Sequence, residues 1–433
     1  MEKSALKQLV RDAIEARGAE LIALAKEIWE HPEPGYEEFR TSKLVEKTLR
    51  SLGLPCRTGL ARTGVRADLD TGKPGPTIAI LGELDALIMP ENPHADPVNH
   101  SAHACGHHMQ VATLLGAAAG LAAVPEVREH LSGRIAFIAC PAEECRLTHF
   151  DGITCLGGKP ELIREGVFDD VSMAFMTHAA REYHTDRSCN GFVMKKISFY
   201  GKAAHAGYAW NGVNALSAAR LALDAVDMQR DLFRDDDLVR IHGIIQHGGS
   251  VVNIVPEKVD LEYQIRAKTP EAVKAASDLF DRSMRGAATA FGVRVSIRTL
   301  PGYMPLHPDP ELLKIHQANL EELRPGTPFR DAGNGTGSTD MGDLSMIMPA
   351  IHPYAGGWTG AGHHESFHWT DEHEAFVDPA KVLAANAVDL LFGDAAEAKR
   401  ILAASKPPFT RREYLAFQDA LNAEEEFDGA AAR

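Results

Sequence analysis

The sequence predicts an α/β unit, with a mixed and mostly parallel sheet and flanking helices, interrupted by a smaller α+β insertion. Two observations predict it. Short apolar runs repeatedly end in polar, chemistry-bearing residues: residues 77–82 lead into Glu83 and Asp85, residues 133–140 into Glu143 and Glu144, and residues 171–176 into Thr177 and His178. Such runs suit strands buried on both faces, and open parallel sheets collect functional groups at the carboxyl ends of their strands. The second observation is a change of pattern near Asn190. From there strand, helix, two strands, helix and strand follow within about a hundred residues, enough for a domain of their own.

Taken in order, residues 4–28 carry apolar positions at helical spacing, Pro32-Glu33-Pro34-Gly35 breaks the pattern, and residues 37–52 resume it. Residues 63–69 form a further candidate strand. The small and aliphatic run 109–121 predicts a packed helix, and residues 159–165 a short one. In the insertion, residues 191–200 alternate like a half-buried strand, residues 201–207 form a small-residue loop, and residues 214–229 and 270–291 are helical. The sheet-and-helix pattern returns after Pro310, with helices at 311–323 and 379–391 and a charged surface element beyond Pro408. The expected organisation is therefore 1–190, first part of the main unit; 191–303, insertion; and 304–433, second part and tail.

With 433 residues and 45% hydrophobic content, the chain can bury a large core divided between two domains. A net charge of -15 argues against nucleic acid or an anionic membrane as the main partner and suits a small-molecule substrate. Residues 1–17 alternate charged and small residues, which is neither a secretory signal nor a membrane span. Six cysteines spread through so long a chain are not a disulfide scaffold, and a cytoplasmic location is expected.

The chemistry centres on His103-Ala104-Cys105-Gly106-His107-His108, three imidazoles and a thiol at one point, which are soft and borderline metal ligands. Glu143 and Glu144 follow an apolar strand, and a sharp turn there can bring both to one metal site. One can ligate while the other acts as base, taking a proton from activated water and returning it to a leaving nitrogen.

These motifs resemble, in order, those of the M20 family of metallopeptidases and amidohydrolases. They are Gly82-Glu83-Leu84-Asp85-Ala86-Leu87, His103-Ala104-Cys105-Gly106-His107, Pro141-Ala142-Glu143-Glu144, His178, Gly201-Lys202-Ala203-Ala204-His205-Ala206, Asn253-Ile254-Val255-Pro256, and His363 with Phe367 and Asp371-Glu372. The resemblance is nearest to the aminoacylase-like, auxin-conjugate and aminobenzoyl-glutamate hydrolase branch. It implies a dinuclear metal site, with manganese first and zinc next, and an inserted lid that also makes a homodimer. It further implies Cys105, His107, Glu144, His178 and His363 as metal ligands, with Cys105 as candidate bridge and His364 as the rival of His363. Glu143 becomes the general base and Asp85 the residue orienting a ligating imidazole. His205 reaches a neighbouring subunit's site to stabilise the oxyanion, and Asn253 and Arg266 hold substrate.

By the same resemblance the reaction is hydrolysis of a C–N bond by metal-bound hydroxide, by default the amide of an N-acyl or N-aroyl amino acid rather than an ordinary peptide bond. Deamination of an activated aromatic amine such as a nitroanthranilate is the alternative. A non-catalytic metal-binding or assembly protein would be expected to have lost base or ligands, and this chain retains them. Three departures from the family pattern border the site: His108 in place of an aspartate, residues 145–150 in place of a glycine-rich run, and residues 88–91 in place of a proline and an acid.

Overall fold

A computed structural model describes residues 1–145, 147–148 and 150–431. The chain forms two compact units, one made of Met1–Arg187, His307–Asn334 and Asp343–Arg411, the other of Ser188–Leu306, Gly335–Gly342 and Arg412–Arg433.

The first unit is built on a six-stranded sheet in the order Cys56–Leu60, Gly64–Asp70, Arg134–Cys140, Thr77–Glu83, Met173–Phe175, Ala350–Ile351. The last four strands run parallel and the first two are antiparallel additions. Thr77–Glu83 is buried along its whole length, as a central parallel strand covered on both faces must be. The helix His107–Ala123 lies against it, buried at every position through Leu121, so it is apolar all round rather than amphipathic. Lys3–Glu15, Gly18–Trp29 and Asp378–Leu391 pack around this helix and complete the core. The stretch 4–28 is therefore two helices, which break at Ala16 and Arg17.

The helix Pro310–Leu323, capped by the Asp309 side chain, packs on Asp378–Leu391 and carries His316 into the interior, where Nδ1 accepts a hydrogen bond from Asn386 Nδ2 at 3.1 Å. Burial pushes the His316 pKa from 6.5 down to about 3. The unfolded chain therefore binds this proton first, so the contribution is intact above pH 6.5 and falls as the pH drops from 6.5 toward 3. Urea unfolding is expected to show stability declining across this window, with a slope reduced by up to about one proton in His316→Leu. An identical slope in that variant would mean that His316 does not titrate there.

The second unit is a five-stranded antiparallel sheet in the order Arg240–His247, Lys258–Ala267, Gly191–Tyr200, Arg294–Pro301, Ala423–Asp428. The helices Ala215–Met228 and Pro270–Phe291, capped by Asn214 and Thr269, pack on it. The fifth strand corrects the expectation that the charged tail belongs with the main unit. Its sequence, Ala-Glu-Glu-Glu-Phe-Asp, reads as an acidic coil by itself, but Glu425 pairs with Arg285 at 2.8 Å, Glu426 pairs with Arg294, and Ala423 O accepts from Arg298. Arginines distant in sequence make it a strand.

Candidate metal centre

Gly106 turns the chain abruptly into the helix that begins at His107. Its φ is 96°, and a Cβ there would lie 2.5 Å from Ala179 Cβ, so only glycine fits between Cys105 and His107. Successive helical residues point about 100° apart, which separates the two adjacent imidazoles. His107 turns to Asp85. His108 turns into a cluster of His103, Trp358, Trp369 and Phe376, with ring centroids 5.1 to 5.8 Å away. Burial holds its pKa well below the ordinary value. His108 is therefore a core residue, packed behind the ligand segment.

Asp85, fully buried, links two of the candidate ligands. Its Oδ1 accepts from His107 Nδ1 at 3.0 Å, and its Oδ2 accepts from the main-chain N–H of Glu144 at 2.9 Å. The first bond fixes the tautomer of His107 and leaves the Nε2 lone pair available. His178 is set the same way: Nδ1 donates to Ala179 O at 3.0 Å, and Nε2 lies 3.3 Å from Cys105 Sγ.

The loops that deliver the other groups are strained. Ala142, Cys145 and His363 have φ of 50°, 55° and 60°, a left-handed conformation costing on the order of 1–3 kcal/mol each. Glu38 holds the first of them. Fully buried, it accepts from Ala142 N–H at 2.8 Å and from Thr63 Oγ1 at 2.6 Å, and burial with the nearby Asp85 charge raises its pKa to about 8. Arg146 and His149 of the divergent loop lie outside the described residues.

Cys105, His107 and His178 form one group of potential ligands, and Cys105, Glu144 and His363 another, with donor atoms in each within 4.8 Å of one another. Cys105 is common to both. Glu143 enters a third such group with Glu83 and His107. His107 Nε2 stands 3.8 Å from a Glu143 oxygen and 3.9 Å from a Glu144 oxygen, so distance alone does not separate ligand from base. His363 Nε2 is 3.5 Å from Glu144, whereas His364 Nδ1 accepts from Ser366 N–H at 3.1 Å.

These residues fit metal ions. Among the described residues His107 Nε2 and Glu144 Oε1 are buried without hydrogen-bond partners, their nearest polar neighbours being Glu83 at 3.0 Å and His363 at 3.5 Å, an arrangement that a cation would satisfy. Burial, joined by the Glu144 charge, lifts the Cys105 thiol well above its ordinary pKa, and burial also raises Glu144. Burial opposes the His107 imidazolium, but Cys105, Glu83 and Asp85 outweigh it and raise that pKa well above normal. These surroundings favour the protonated form of each group, and a bound cation would favour the deprotonated one.

Residues 79–388 match the model of Peptidase family M20/M25/M40. The chain belongs to this family. With it comes the metal-dependent hydrolase class. The M20 chain is 31% identical over 416 residues to the Xaa-Arg dipeptidase of Mus musculus, covering 90% of each. It is 26% identical over 392 residues to the N-acetylcysteine deacetylase of Bacillus subtilis, covering 86% of this chain and 97% of that one. Its fold is that of a dinuclear metal-binding M20 peptidase from Bacillus subtilis, with TM-score 0.68, 23% identity, and coverage of 87% and 99%. Among the described residues no helix is long and apolar enough to cross a membrane.

The remaining candidate residues of the M20 chain lie in the second unit, in two places. His205 and Asn253 are neighbours: Ala206 N–H donates to Asn253 O at 2.9 Å, and His205 pairs with Ile254 through the main chain. Arg266 is at the other end of the sheet, because Phe192 faces Arg266 while Tyr200, just before the His205 loop, faces Lys258. Eight residues of strand separate these ends by roughly 25 Å. Arg266 is also engaged within its unit, by Ser338 at 3.0 Å and by Gln264 at 2.9 and 2.6 Å.

Three residues of the first unit, Glu38, Lys159 and His352, escaped the sequence reading of the site, and Glu83 was noted at a strand end without a role. Glu38 and Glu83 are buried acids, Lys159 is a buried cation bonded to Glu83 at 2.6 Å, and His352 follows the parallel strand Ala350–Ile351, its ring 5.3 Å from that of His178. Position at a strand end was the available signal for Glu83 and His352. Nothing local marks Glu38 or Lys159.

Proposed function

We propose that this chain is a dinuclear amidohydrolase that cleaves the amide between an acyl or aroyl group and an amino acid. The observation that carries the reading is Cys105, common to two groups of three candidate ligands. Thiolate, imidazole and carboxylate donors together allow zinc, manganese, cobalt or nickel, and the resemblance favours manganese, with zinc next. When bound, such ions polarise the amide carbonyl and acidify water.

The protein's own part is positioning and proton transfer. Cys105, His107, Glu144, His178 and His363 hold the ions, and Asp85 aims His107 and Glu144 at them. Glu143, almost wholly buried, takes the proton of the attacking water and delivers it to the departing nitrogen. His205 stabilises the oxyanion, while Asn253 and Arg266 hold the substrate.

Since His205 and Arg266 stand at opposite ends of one sheet, one second unit cannot bring both to the same substrate. A homodimer in which each copy supplies one end meets that requirement. The edge strand Arg240–His247 supports such a pairing, because it exposes Ile244 and Ile245 beside an unpaired strand edge.

A dipeptide with a basic second residue is the second reading, favoured by the 90% coverage of the Xaa-Arg dipeptidase. Turnover of N-acetyl and N-aroyl amino acids, dipeptides ending in arginine, and nitroaromatic amines by protein loaded with manganese or zinc tests both. N-acyl amino acids are expected to give the highest kcat/KM. Highest activity on the dipeptides would replace the first reading with the second, and activity confined to the aromatic amines would remove both.

A further inference from the structure

The central strand Thr77–Glu83 ends in a carboxylate that the ligand assignment leaves without a role. Glu83 is fully buried and clamped. Oε1 accepts from Lys159 Nζ at 2.6 Å, Oε2 accepts from Gln110 Nε2 at 2.8 Å, and its main-chain N–H donates to Gln110 Oε1 at 3.1 Å. Lys159 is as deeply buried as Glu83. A buried ion pair seldom stabilises a fold more than apolar residues of the same volume would, so its presence calls for another reason.

The contact with His107 supplies one. Glu83 Oε2 lies 3.0 Å from His107 Nε2, which has no hydrogen bond among the described residues. The proton of this imidazole is on Nδ1, given to Asp85. The tautomer that can bind a metal, with its one proton on Nδ1, sets two lone-pair atoms 3.0 Å apart, an arrangement that a cation held by both would relieve. An ionised carboxylate oxygen that accepts one hydrogen bond still has a lone pair to offer. Glu83 also falls, with His107 and Glu143, in one of the three groups whose donor atoms lie within 4.8 Å.

We propose that Glu83 is a direct carboxylate ligand of the ion that His107 binds, and that Lys159 and Gln110 orient it. This rests on the metal-dependent reading above and adds a ligand to it. Lys159 offsets one of the negative charges gathered by Cys105, Asp85, Glu143 and Glu144, so that an extra carboxylate can be accommodated in the buried site.

The test is metal binding without substrate. Purified wild-type chain and variants are equilibrated with manganese, zinc or cobalt, and the bound metal is counted by elemental analysis. Affinities come from titration, and the cobalt-loaded proteins are compared by visible absorption. Glu83→Gln is expected to bind one ion at least ~10-fold more weakly, with an altered cobalt spectrum. Because Glu83→Gln alone leaves Lys159 as an uncompensated buried charge, the double variant Glu83→Gln/Lys159→Met removes both charges together and is expected to show the same loss. Lys159→Met alone keeps the carboxylate and is expected to keep both ions.

Wild-type affinities and spectrum in either Glu83 variant would overturn the proposal, as would equal loss in Lys159→Met, which would make the pair a support for the fold. If the wild-type chain itself binds no divalent ion, the metal-dependent reading fails first, and the two failures are thereby distinguished.

Discussion

Glu143→Ala is expected to lose between about 10²- and 10⁴-fold in kcat, the span that a positioned acid–base group contributes. KM should change far less. Bound metal should persist, because Cys105, His107, Glu144, His178 and His363 all remain. Elemental analysis beside steady-state kinetics separates the two effects, and unchanged turnover would remove Glu143 from the mechanism. Loss of metal along with rate would instead assign it to the group it forms with Glu83 and His107. The same variant tests the dimer. Mixed with His205→Ala chains, it should regain part of the wild-type rate, since a hybrid carries one site with an intact base and an intact histidine from the other copy. Absence of recovery would count against His205 acting across subunits.

Most of the fold was legible because its strands advertise themselves. Thr77–Glu83, Arg134–Cys140 and Met173–Phe175 are apolar runs with polar ends, and the helices Ala215–Met228, Pro270–Phe291 and Pro310–Leu323 carry Asn214, Thr269 and Asp309 as caps. The strand Ala423–Asp428 was not legible, since what makes it a strand is the row of arginines opposite.

The same division runs through the site. Cys105, His107, Glu144, His178 and His363 stand in motifs or at strand ends, and the structure brings them together. Lys159 and Glu38 act through partners remote in the chain, Glu83 and Ala142, so no local pattern could reveal them. His108 was misread for a geometric reason: adjacency in sequence suggested adjacency to the metals, and a helix beginning at His107 turns the next side chain away.

Asp85→Asn carries the second large expected effect, a fall in metal affinity of about 10- to 100-fold, as removal of an orienting carboxylate produces. The substitution preserves shape, but the two Asp85 oxygens both accept, one from the His107 ring and one from the Glu144 main chain. An asparagine can accept only at its carbonyl oxygen, so its amide N–H₂ must face one of these donors. If it faces His107, Nδ1 keeps only the main-chain oxygen of residue 85, 2.9 Å away, as acceptor, and the side-chain amide repels the ring N–H, so Nε2 is held less firmly toward the metal. If it faces Glu144, the main-chain N–H there loses its acceptor and the turn holding both glutamates loosens. Either outcome weakens metal binding before it affects proton transfer. Activity should therefore return toward the wild-type value as metal is added, which a loss of the base would not allow. A variant with wild-type metal affinity and a low kcat at every metal concentration would show that Asp85 acts on the reaction itself and not through its hold on the ligands.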